Sequence, residues 1–559
     1  MAAHANTHDR LWHSKYPPGV PFEINADAYA SLIEVIERTC KEFGTKRAFS
    51  NMGAALTFSQ IDEKSRAFAA FLQTIPGLQP GDRFAIQLPN LLQYPIVLFG
   101  ALRAGLTVVN VNPLYTAREM EFQFKDSGAK AVVICANFAS HLQEIVGNTD
   151  IKTVIVTEIG DLLPMPKRLL VNAVIKYVKK MVPAFKIRGA ISLREALRRG
   201  GAANYKTVAR KSEDLAFIQY TGGTTGVSKG AMLTHRNIIA NMEQVAAWMR
   251  PTIKPGEDIC LAPLPMYHIF SLTVNALAFF KYGTESVLIT NPRDIGGLVK
   301  EMRKYKLTLM TGVNTLFNAL LNHPDFSKID FSSMKIAVGG AMALQRPVVE
   351  KWNSSTGSLL LEGYGLTESS PVLCVNPLDK REALVGSVGL PIPSTEIKMV
   401  GENGQEVAVG ESGEIWARGP QVMKGYWNRP EESKNVLPGD GWLRTGDVGM
   451  FTPTGFVKIV DRQKDMITVS GFKVYPNEVE EVLAMHPKVL EAGVVGMPDE
   501  HSGEVVKAFV VRKDVTLTEA ELRDFAKKHL TAYKVPKAVV FTESLPKTNV
   551  GKILRRQLR

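Results

Sequence analysis

Short apolar runs alternate with longer helix-like stretches along the first part of the chain. The strand-like runs are residues 84–88, 107–110, 131–134 and 153–156, and the helical pattern is clearest at residues 92–102. Strands that alternate with helices are typical of βαβ units, in which successive strands lie parallel in one sheet. The same alternation resumes near residue 215 and continues to about residue 375. We therefore expect one large α/β region made of two similar subdomains.

Short alternating segments with turn residues replace this pattern from about residue 386 onward. Residues 396–400 and 414–418 alternate, and the turn-forming pair Asn403-Gly404 lies between them. An Asn-Gly pair between two alternating segments is a strong hairpin signal. A small β subdomain is thus predicted at about residues 386–460.

The end of the chain has the pattern of a compact α+β unit. Helix signals cover residues 476–486 and 518–530, and the second begins with Thr518 and Glu521 at capping-box spacing. The charged, non-apolar segment 461–465 separates this unit from the β subdomain. The predicted organisation is α/β throughout a large N-terminal domain, residues 1–460, followed by a link at 461–465 and a small α+β C-terminal domain, residues 466–559.

Length and composition are those of a globular protein with a large core. A chain of 559 residues is too long for one core and should divide into domains. The hydrophobic fraction is 45% and the charged fraction 22%, which is ordinary for a globular protein. The four cysteines are far apart and have no metal-ligand spacing, and the N-terminus lacks the apolar core of a signal peptide. We therefore expect reduced thiols and a cytoplasmic protein.

The formal net charge of +12 favours anionic partners. A nucleotide, the phosphorylated end of coenzyme A and an anionic membrane surface all fit this charge. No recognised nucleic-acid-binding motif accompanies the charge, so nucleic acid is not an expected partner.

Two stretches raise the question of a membrane. Residues 260–280 contain no Asp, Glu, Lys or Arg, but Pro263, Pro265 and His268 interrupt them, which favours a buried loop and helix over a transmembrane span. Residues 167–186 carry apolar side chains at helical spacing and basic ones mostly on the other side. Such a helix could lie on an anionic bilayer or pack on its own domain, and the pattern leaves both open.

The chemistry begins at a loop of glycines, hydroxyls and one lysine that follows an apolar, strand-like run. Its phosphate-binding candidates are Thr221, Gly222, Gly223, Thr224, Thr225, Gly226 and Lys229. Glycines let backbone N–H groups close around a phosphate. The Walker pattern is excluded because Val227 and Ser228 separate Gly226 from Lys229. A surface turn rich in glycine and threonine is the alternative for this loop alone.

The loop resembles the signature of the adenylate-forming superfamily, which includes acyl-CoA synthetases, luciferases and the adenylation domains of peptide synthetases. Further motifs follow in that family's order: Tyr364-Gly-Leu-Thr-Glu368, Gly446-Asp447, Arg462, and Lys552 within Pro546-Lys-Thr-Asn-Val-Gly-Lys-Ile. The runs at residues 89–95, 112–116 and 264–270 look most like the bacterial long-chain fatty acid–CoA ligases.

The resemblance implies a role for each matched residue. Thr221 and Glu368 would hold Mg²⁺, and Lys552 would be the catalytic lysine. The nucleotide would contact the phosphate loop together with Tyr364, Gly365, Thr367, Asp447 and Arg462. The acyl pocket would include His268, Gly340 and Ala341, with Leu272 where some relatives have a gating tryptophan. Lys464 would be the hinge of a mobile C-terminal domain, and Ser470, Gly471 and Lys473 would face coenzyme A.

The implied reaction has two steps. A fatty carboxylate attacks the α-phosphate of ATP to give acyl-AMP and pyrophosphate, and the thiol of coenzyme A then displaces AMP. Mg²⁺ would be the metal, and a peripheral contact with the cytoplasmic face of the inner membrane and a homodimer are both compatible with the sequence. A medium-chain or aryl-CoA ligase, an acyl-AMP ligase, a luciferase-like oxygenase and a membrane-associated acyl carrier remain as alternatives.

Overall fold

The computed structural model describes residues 10–221, 228–379, 383–499, 501–548 and 551–559. Its strands, in chain order, are β1 Arg47–Asn51, β2 Ala54–Thr57, β3 Arg83–Gln87, β4 Thr107–Asn110, β5 Ala129–Cys135, β6 Thr153–Thr157, β7 Ile191–Ser192, β8 Leu215–Thr221, β9 Lys229–Thr234, β10 Ile259–Ala262, β11 Glu285–Leu288, β12 Leu309–Gly312, β13 Ile336–Gly339, β14 Leu359–Gly365, β15 Val372–Val375, β16 Leu390–Pro391, β17 Glu396–Val400, β18 Gly413–Arg418, β19 Leu443–Phe451, β20 Val457–Arg462, β21 Ile467–Val469, β22 Phe472–Val474, β23 Val489–Asp499, β24 Gly503–Arg512 and β25 Ala538–Thr542.

The α-helices lie between these strands. They are α1 Leu32–Phe43, α2 Phe58–Gln73, α3 Gln93–Arg103, α4 Ala117–Ser127, α5 Ala139–Ile145, α6 Lys167–Ala173, α7 Leu193–Gly201, α8 His235–Met249, α9 Ile269–Ser271, α10 Phe279–Lys281, α11 Ile295–Met302, α12 Asn314–Leu321, α13 Arg346–Thr356, α14 Pro430–Val436, α15 Pro476–Ala484 and α16 Glu519–His529.

Two large sheets form the α/β region. One has the order β7-β6-β5-β3-β4-β8-β9 and is parallel except at the β8–β9 pair. The other has the order β16-β15-β14-β13-β12-β10-β11-β1-β2, with antiparallel pairs at its two edges. The α/β class and the large-plus-small organisation predicted from the sequence are confirmed.

The division of the strands between the two large sheets differs from the one that the sequence pattern indicates. The hairpin β1–β2 precedes every strand of the seven-stranded sheet, but it joins the nine-stranded sheet through β11. The pair β8–β9 joins the seven-stranded sheet through β4. The seven-stranded sheet therefore comes from one continuous stretch of chain, β3 to β9, whereas the nine-stranded sheet combines the hairpin β1–β2 with β10 to β16.

Two smaller sheets complete the described part of the chain. The strands β17-β18-β19-β20 form an antiparallel sheet within the predicted β subdomain. The five strands after the link form the last sheet, in which β25 pairs parallel to β24. This sheet has a core of its own with α15 and α16, centred on Val479, Val494 and Leu522.

Helix α16 begins at the residue that the sequence predicts. The hydroxyl of Thr518 accepts the N–H of Glu521, so it satisfies one of the donors that a helix N-terminus leaves free. Helices α2 and α4 begin with complete capping boxes, formed by Thr57 with Gln60 and by Thr116 with Glu119.

The stretch 167–186 is not one long helix, contrary to the pattern. Helix α6 continues into a π-helical turn at Val174–Val178 and then ends, and Lys180 has a positive φ of 51°. A left-handed residue cannot continue a right-handed helix. Several large apolar side chains of this segment are exposed, namely Leu169, Leu170, Tyr177, Val178 and Met181.

Residues 260–280 are buried, as expected from their interrupting prolines and histidine. They form β10, a loop, and a helical stretch that starts at Ile269 and includes a π-helical turn at Leu272–Ala278. Among the described residues, no helix has the length and apolar character needed to cross a bilayer. Cys40, Cys135, Cys260 and Cys374 are buried free thiols, in agreement with the expectation of reduced cysteines.

Helix α7 packs so closely on α2 that Gly200 tolerates no side chain. A Cβ at Gly200 would lie 1.8 Å from the carbonyl oxygen of Ala67, whereas a Cβ at Gly201 would have no atom within 4 Å. We expect Gly200→Ala to destabilise the protein by about 1–3 kcal/mol or more through overpacking. Gly201→Ala is the matched control and should stabilise by up to about 1 kcal/mol, because alanine is the better helix former.

Thermal unfolding of both variants checks this prediction. The melting temperature of Gly200→Ala should fall below that of the unmodified protein, while that of Gly201→Ala should stay equal or rise. Equal melting temperatures for the two variants would show that α2 and α7 are not in this close contact.

Candidate active site

The ends of the predicted phosphate loop are fixed by the antiparallel pair β8–β9. Thr221, the last residue of β8, lies opposite Lys229, the first residue of β9. The main-chain carbonyl of Thr221 accepts a hydrogen bond from the Ser228 hydroxyl at 2.5 Å. Predicted residues Gly222, Gly223, Thr224, Thr225 and Gly226 lie outside the described residues. Thr221 and Lys229, which stand at the two ends of the predicted loop, are thus neighbours across the strand pair.

The Tyr364–Glu368 motif lies at the end of β14 and runs into a short 3₁₀ turn, Thr367–Ser369. Gly365 must be glycine here, because a Cβ would lie 2.0 Å from the carbonyl oxygen of Pro371. The turn packs against β8 and β9, so the predicted metal carboxylate, Glu368, lies on an element next to the two strands that flank the predicted phosphate loop. Burial raises the pKa of Glu368, and its Oε1 accepts a hydrogen bond from the hydroxyl of Tyr426 at 2.6 Å.

Three of the predicted nucleotide-binding residues meet at one buried carboxylate. Asp447 on β19 lies opposite Arg462 on β20 in the strand register, and the Arg462 guanidinium lies 3.2 Å from its Oδ1. The hydroxyl of Tyr364 donates to Oδ2 at 2.7 Å. Asp447 is only 5% exposed, so the two contacts replace the water that it loses on burial. We name Tyr364, Asp447 and Arg462 the Asp447 cluster.

The predicted catalytic lysine adjoins the Asp447 cluster. Lys552 belongs to a tight loop in which its main-chain carbonyl accepts the N–H of Thr548, and its own N–H donates to the Thr548 hydroxyl. Burial, reinforced by the positive charge of Arg462, lowers the pKa of Lys552 to about 8, while Asp447 acts in the opposite direction. The structure therefore brings Lys552, Asp447 and Arg462 together although 105 residues separate the first two in the chain (552 − 447).

Contacts with the N-terminal domain hold this loop in place. The hydroxyl of Thr315 on α12 donates to the carbonyl of Gly551 at 3.5 Å, and the amide of Asn318 donates to the carbonyl of Leu490 at 3.2 Å. Helix α12 thus supports the side of the C-terminal domain that carries Lys552.

The residues predicted to line the acyl pocket lie in one region. Phe270 lies so close to Gly340 that a Cβ there would be 3.0 Å from its ring. The neighbouring Ala341 has a positive φ of 64°, a backbone conformation that residues other than glycine seldom adopt. Burial lowers the pKa of His268 to about 4, so its imidazole is neutral near pH 7. His268 is therefore a buried, uncharged side chain at that pH.

The predicted coenzyme A residues lie at and beside the turn that joins β21 to β22. Ser470 and Gly471 form the turn between β21 and β22. Lys473 forms an ion pair with Glu402, which lies in the turn after β17 of the β subdomain. In this arrangement Lys552 adjoins Arg462 and Asp447, whereas Lys473 pairs with a carboxylate of the β subdomain.

The link between the domains is held by an arginine that the sequence did not single out. Lys464 lies in the 3₁₀ turn Gln463–Asp465. The guanidinium of Arg555 pairs with two carboxylates that flank Lys464 in the chain, Asp461 at 3.1 Å and Asp465 at 3.5 Å. In the sequence Arg555 is part of a basic cluster, and only the fold shows which carboxylates it contacts.

Tyr426 is the second residue that the sequence analysis missed. It lies in a loop between β18 and α14 that has no strand or helix periodicity. A cavity of about 310 Å³ has Glu368, Tyr426, Arg444, Gly446 and Gln463 in its lining. An aromatic residue beside a glycine in such a loop is a weak signal, and only its contacts show that it belongs to the site.

Fold and site are those of an enzyme that binds AMP. A family model for AMP-binding enzymes matches residues 36–427, and a model for the C-terminal domain of AMP-binding enzymes matches residues 478–552. The chain belongs to the family of AMP-binding enzymes. The resemblance to adenylate-forming enzymes is thereby confirmed.

Relatives with assigned activities are similar over nearly their full length. The chain is 54% identical to a long-chain-fatty-acid–CoA ligase of Yersinia pestis, over 99% of the chain and 98% of the relative. It is 50% identical to a protein of the same name from Haemophilus influenzae, over 99% and 98%. A solved structure of the anthranilate CoA ligase AuaEII with anthranoyl-AMP has a TM-score of 0.83 and 25% identity, covering 96% of this chain and 97% of that one.

The lowered pKa of Lys552 predicts a pH dependence. If the lysine acts as a cation, kcat/KM for adenylation should fall as the pH rises through about 8, because the proton that supplies the charge is lost there. The limb in kcat should lie at higher pH, since bound phosphates favour the charged lysine. ATP–pyrophosphate exchange between pH 6 and 10 measures both profiles. A kcat/KM profile that stays flat up to pH 10 would contradict a cationic role for Lys552.

Proposed function

We propose that this protein is a long-chain fatty acid–CoA ligase that works through an acyl-AMP intermediate. The main support for this proposal is the position of Lys552 beside the Asp447 cluster, in a chain that is similar to such ligases over nearly its full length. A carboxylate oxygen attacks the α-phosphorus of ATP, and the bond to pyrophosphate breaks. The thiolate of coenzyme A then attacks the acyl carbon, and the bond to AMP breaks. No protein nucleophile is required.

Lys552 serves the first step in this proposal. The attack on the α-phosphate brings negative oxygens of the carboxylate and the phosphate together, and an ammonium group near both lowers the energy of that arrangement. Asp447 then accepts hydrogen bonds from the ribose hydroxyls, and Arg462 contacts ribose and phosphate. Both residues adjoin Lys552, so one set of contacts places the nucleotide against the lysine.

Mg²⁺ fits the oxygen donors that lie near the phosphate loop. Glu368 offers a carboxylate and Thr221 a hydroxyl, which are ligand types that a hard cation prefers. Oε1 of Glu368 already accepts from Tyr426, so Oε2 is the oxygen that would face the metal. When bound with ATP, the cation would supply positive charge to the phosphate oxygens.

The second step needs a different arrangement of the C-terminal domain. Coenzyme A must reach the adenylate where Lys552 lies in the first step, and one rigid geometry serves both steps poorly. Rotation about Lys464 would withdraw Lys552 and bring the turn with Ser470 and Gly471 to the site. The ion pair between Lys473 and Glu402 would break in that rotation, since Glu402 belongs to the N-terminal domain.

A coupled assay of AMP release across carboxylic acids tests the function. With ATP, Mg²⁺ and coenzyme A, release should be faster with oleate than with octanoate, benzoate or acetate. Without coenzyme A, ATP–pyrophosphate exchange should persist. In Lys552→Ala, adenylation should fall by about 10²-fold or more while ATP binding weakens far less, because the lysine acts mainly on the transition state.

Each other outcome points to a different enzyme. A preference for octanoate or benzoate would indicate a medium-chain or aryl-CoA ligase, and acyl-AMP that accumulates in the presence of coenzyme A would indicate an acyl-AMP ligase. ATP binding without exchange would overturn the proposed chemistry.

We also propose that the segment around α6 contacts an anionic membrane. Large apolar side chains are exposed here, with Leu170 65%, Tyr177 69% and Val178 74% accessible. Lys176, Lys179 and Lys180 are exposed beside them, and no acidic residue occurs between Leu162 and Gly189. Apolar side chains that enter the acyl boundary and lysines that meet anionic headgroups are the two components of interfacial binding.

Co-sedimentation with liposomes tests the membrane contact. Binding should require anionic lipid and weaken with salt, and the variant Lys176→Glu/Lys179→Glu/Lys180→Glu should lose it. The control Lys513→Glu/Lys527→Glu/Lys528→Glu changes the net charge equally at exposed lysines of the C-terminal domain and should bind normally. Equal loss in the two variants would mean that net charge, not this segment, drives the binding.

A further inference from the structure

Tyr426 is fixed between the two parts of the site that handle phosphate and metal. Its segment pairs with β9 through main-chain hydrogen bonds: the N–H of Lys424 donates to Met232 at 3.0 Å, and the N–H of Trp427 donates to Gly230 at 2.7 Å. The N–H of Met423 donates to the carbonyl of Glu368 at 2.8 Å. The segment therefore ties the strand that begins with Lys229 to the turn that carries Glu368.

The side chain of Tyr426 repeats this connection. Its hydroxyl donates to Glu368 Oε1 at 2.6 Å, and the ammonium of Lys229 lies 5.3 Å from the centre of its ring. The residue is 8% exposed, and its own N–H donates to the hydroxyl of Ser433 at 2.8 Å. Main chain and ring are thus both held, so the hydroxyl has little freedom to leave the carboxylate.

We propose that Tyr426 is a positioning residue for the metal-bound nucleotide. Its hydroxyl donates a hydrogen bond to Oε1 of Glu368 and so holds the carboxylate in an orientation in which Oε2 would be available to the cation. Its ring stabilises the ammonium of Lys229 through a cation–π contact. The residue acts through Glu368 and Lys229 and does not itself touch the reacting atoms. This inference rests on the proposed function only in requiring that the site binds ATP together with Mg²⁺.

The variant Tyr426→Phe isolates the hydroxyl, because the ring and its contact with Lys229 remain. Loss of a partner behind a metal ligand costs about 10- to 100-fold in metal affinity. We expect a shift of that size in the Mg²⁺ concentration that half-saturates ATP–pyrophosphate exchange. ATP binding by calorimetry, without fatty acid, should weaken in Mg²⁺ and stay unchanged in EDTA.

Tyr282→Phe is the matched control. The hydroxyl of Tyr282 also donates a hydrogen bond of 2.6 Å, to the carbonyl of Ala246. This contact packs Tyr282 against helix α8 and is not part of the candidate site. Its removal should leave the Mg²⁺ requirement unchanged. Melting temperatures of the two variants separate a general loss of stability from a local effect.

A double-mutant cycle that combines Tyr426→Phe with Glu368→Gln is a second test of the proposal. If Tyr426 acts through Glu368, adding Tyr426→Phe to Glu368→Gln should cause no further loss of Mg²⁺-dependent ATP binding. Independent, additive losses would overturn the proposal, and so would an equal weakening of ATP binding in Mg²⁺ and in EDTA. Failure of this proposal can be distinguished from failure of the proposed function, because the calorimetric measurement of ATP binding needs no acyl substrate. A wild-type protein that adenylates no fatty acid would overturn only the assignment as a ligase.

Discussion

The site depends on the burial of one carboxylate, that of Asp447. A buried ionised carboxylate is strongly unfavourable unless charged or hydrogen-bonding groups surround it, and removal of one partner typically costs about 3–5 kcal/mol. Its two oxygens are satisfied from different parts of the fold, by Tyr364 from the nine-stranded sheet and by Arg462 from the last strand before the link. The carboxylate therefore joins the β subdomain to the larger sheet at the point where the C-terminal domain begins. Asp447 also offsets part of the effect of the positive charge of Arg462 on Lys552.

The sequence predicts the elements better than their partners. Residues 107–110 and 396–400 are strands with the same bounds in pattern and in structure, because alternation and apolar runs act within a few residues. The strands β1 and β2 belong to the nine-stranded sheet because β1 pairs in parallel with β11, which lies far along the chain. Local patterns carry no information about such a contact, so the place of the hairpin β1–β2 in the nine-stranded sheet could not be predicted.

The candidate site divides in the same way. Glu368, Asp447 and Lys552 stand in motifs that mark their chemistry, and the structure adds which of them adjoin. Tyr426 belongs to no such motif, and its bond to Glu368 spans 58 residues of chain. The segment 167–186 shows the converse error, in which a helical pattern extends past the point where the backbone conformation of Lys180 ends the helix.

The shifted pKa values indicate what kind of ligand the site is built for. Burial lowers the pKa of Lys552 and raises that of Glu368, so each group is pushed toward its neutral form. The protein's own neighbours therefore compensate neither charge in full. In the proposed function, a nucleoside triphosphate would bring anionic oxygens to the lysine, and its accompanying cation would bring positive charge to the carboxylate. Because the same ligand would meet both deficits, we expect part of the electrostatic energy given up in burying these groups to be recovered at the atoms where the charge of the transition state develops.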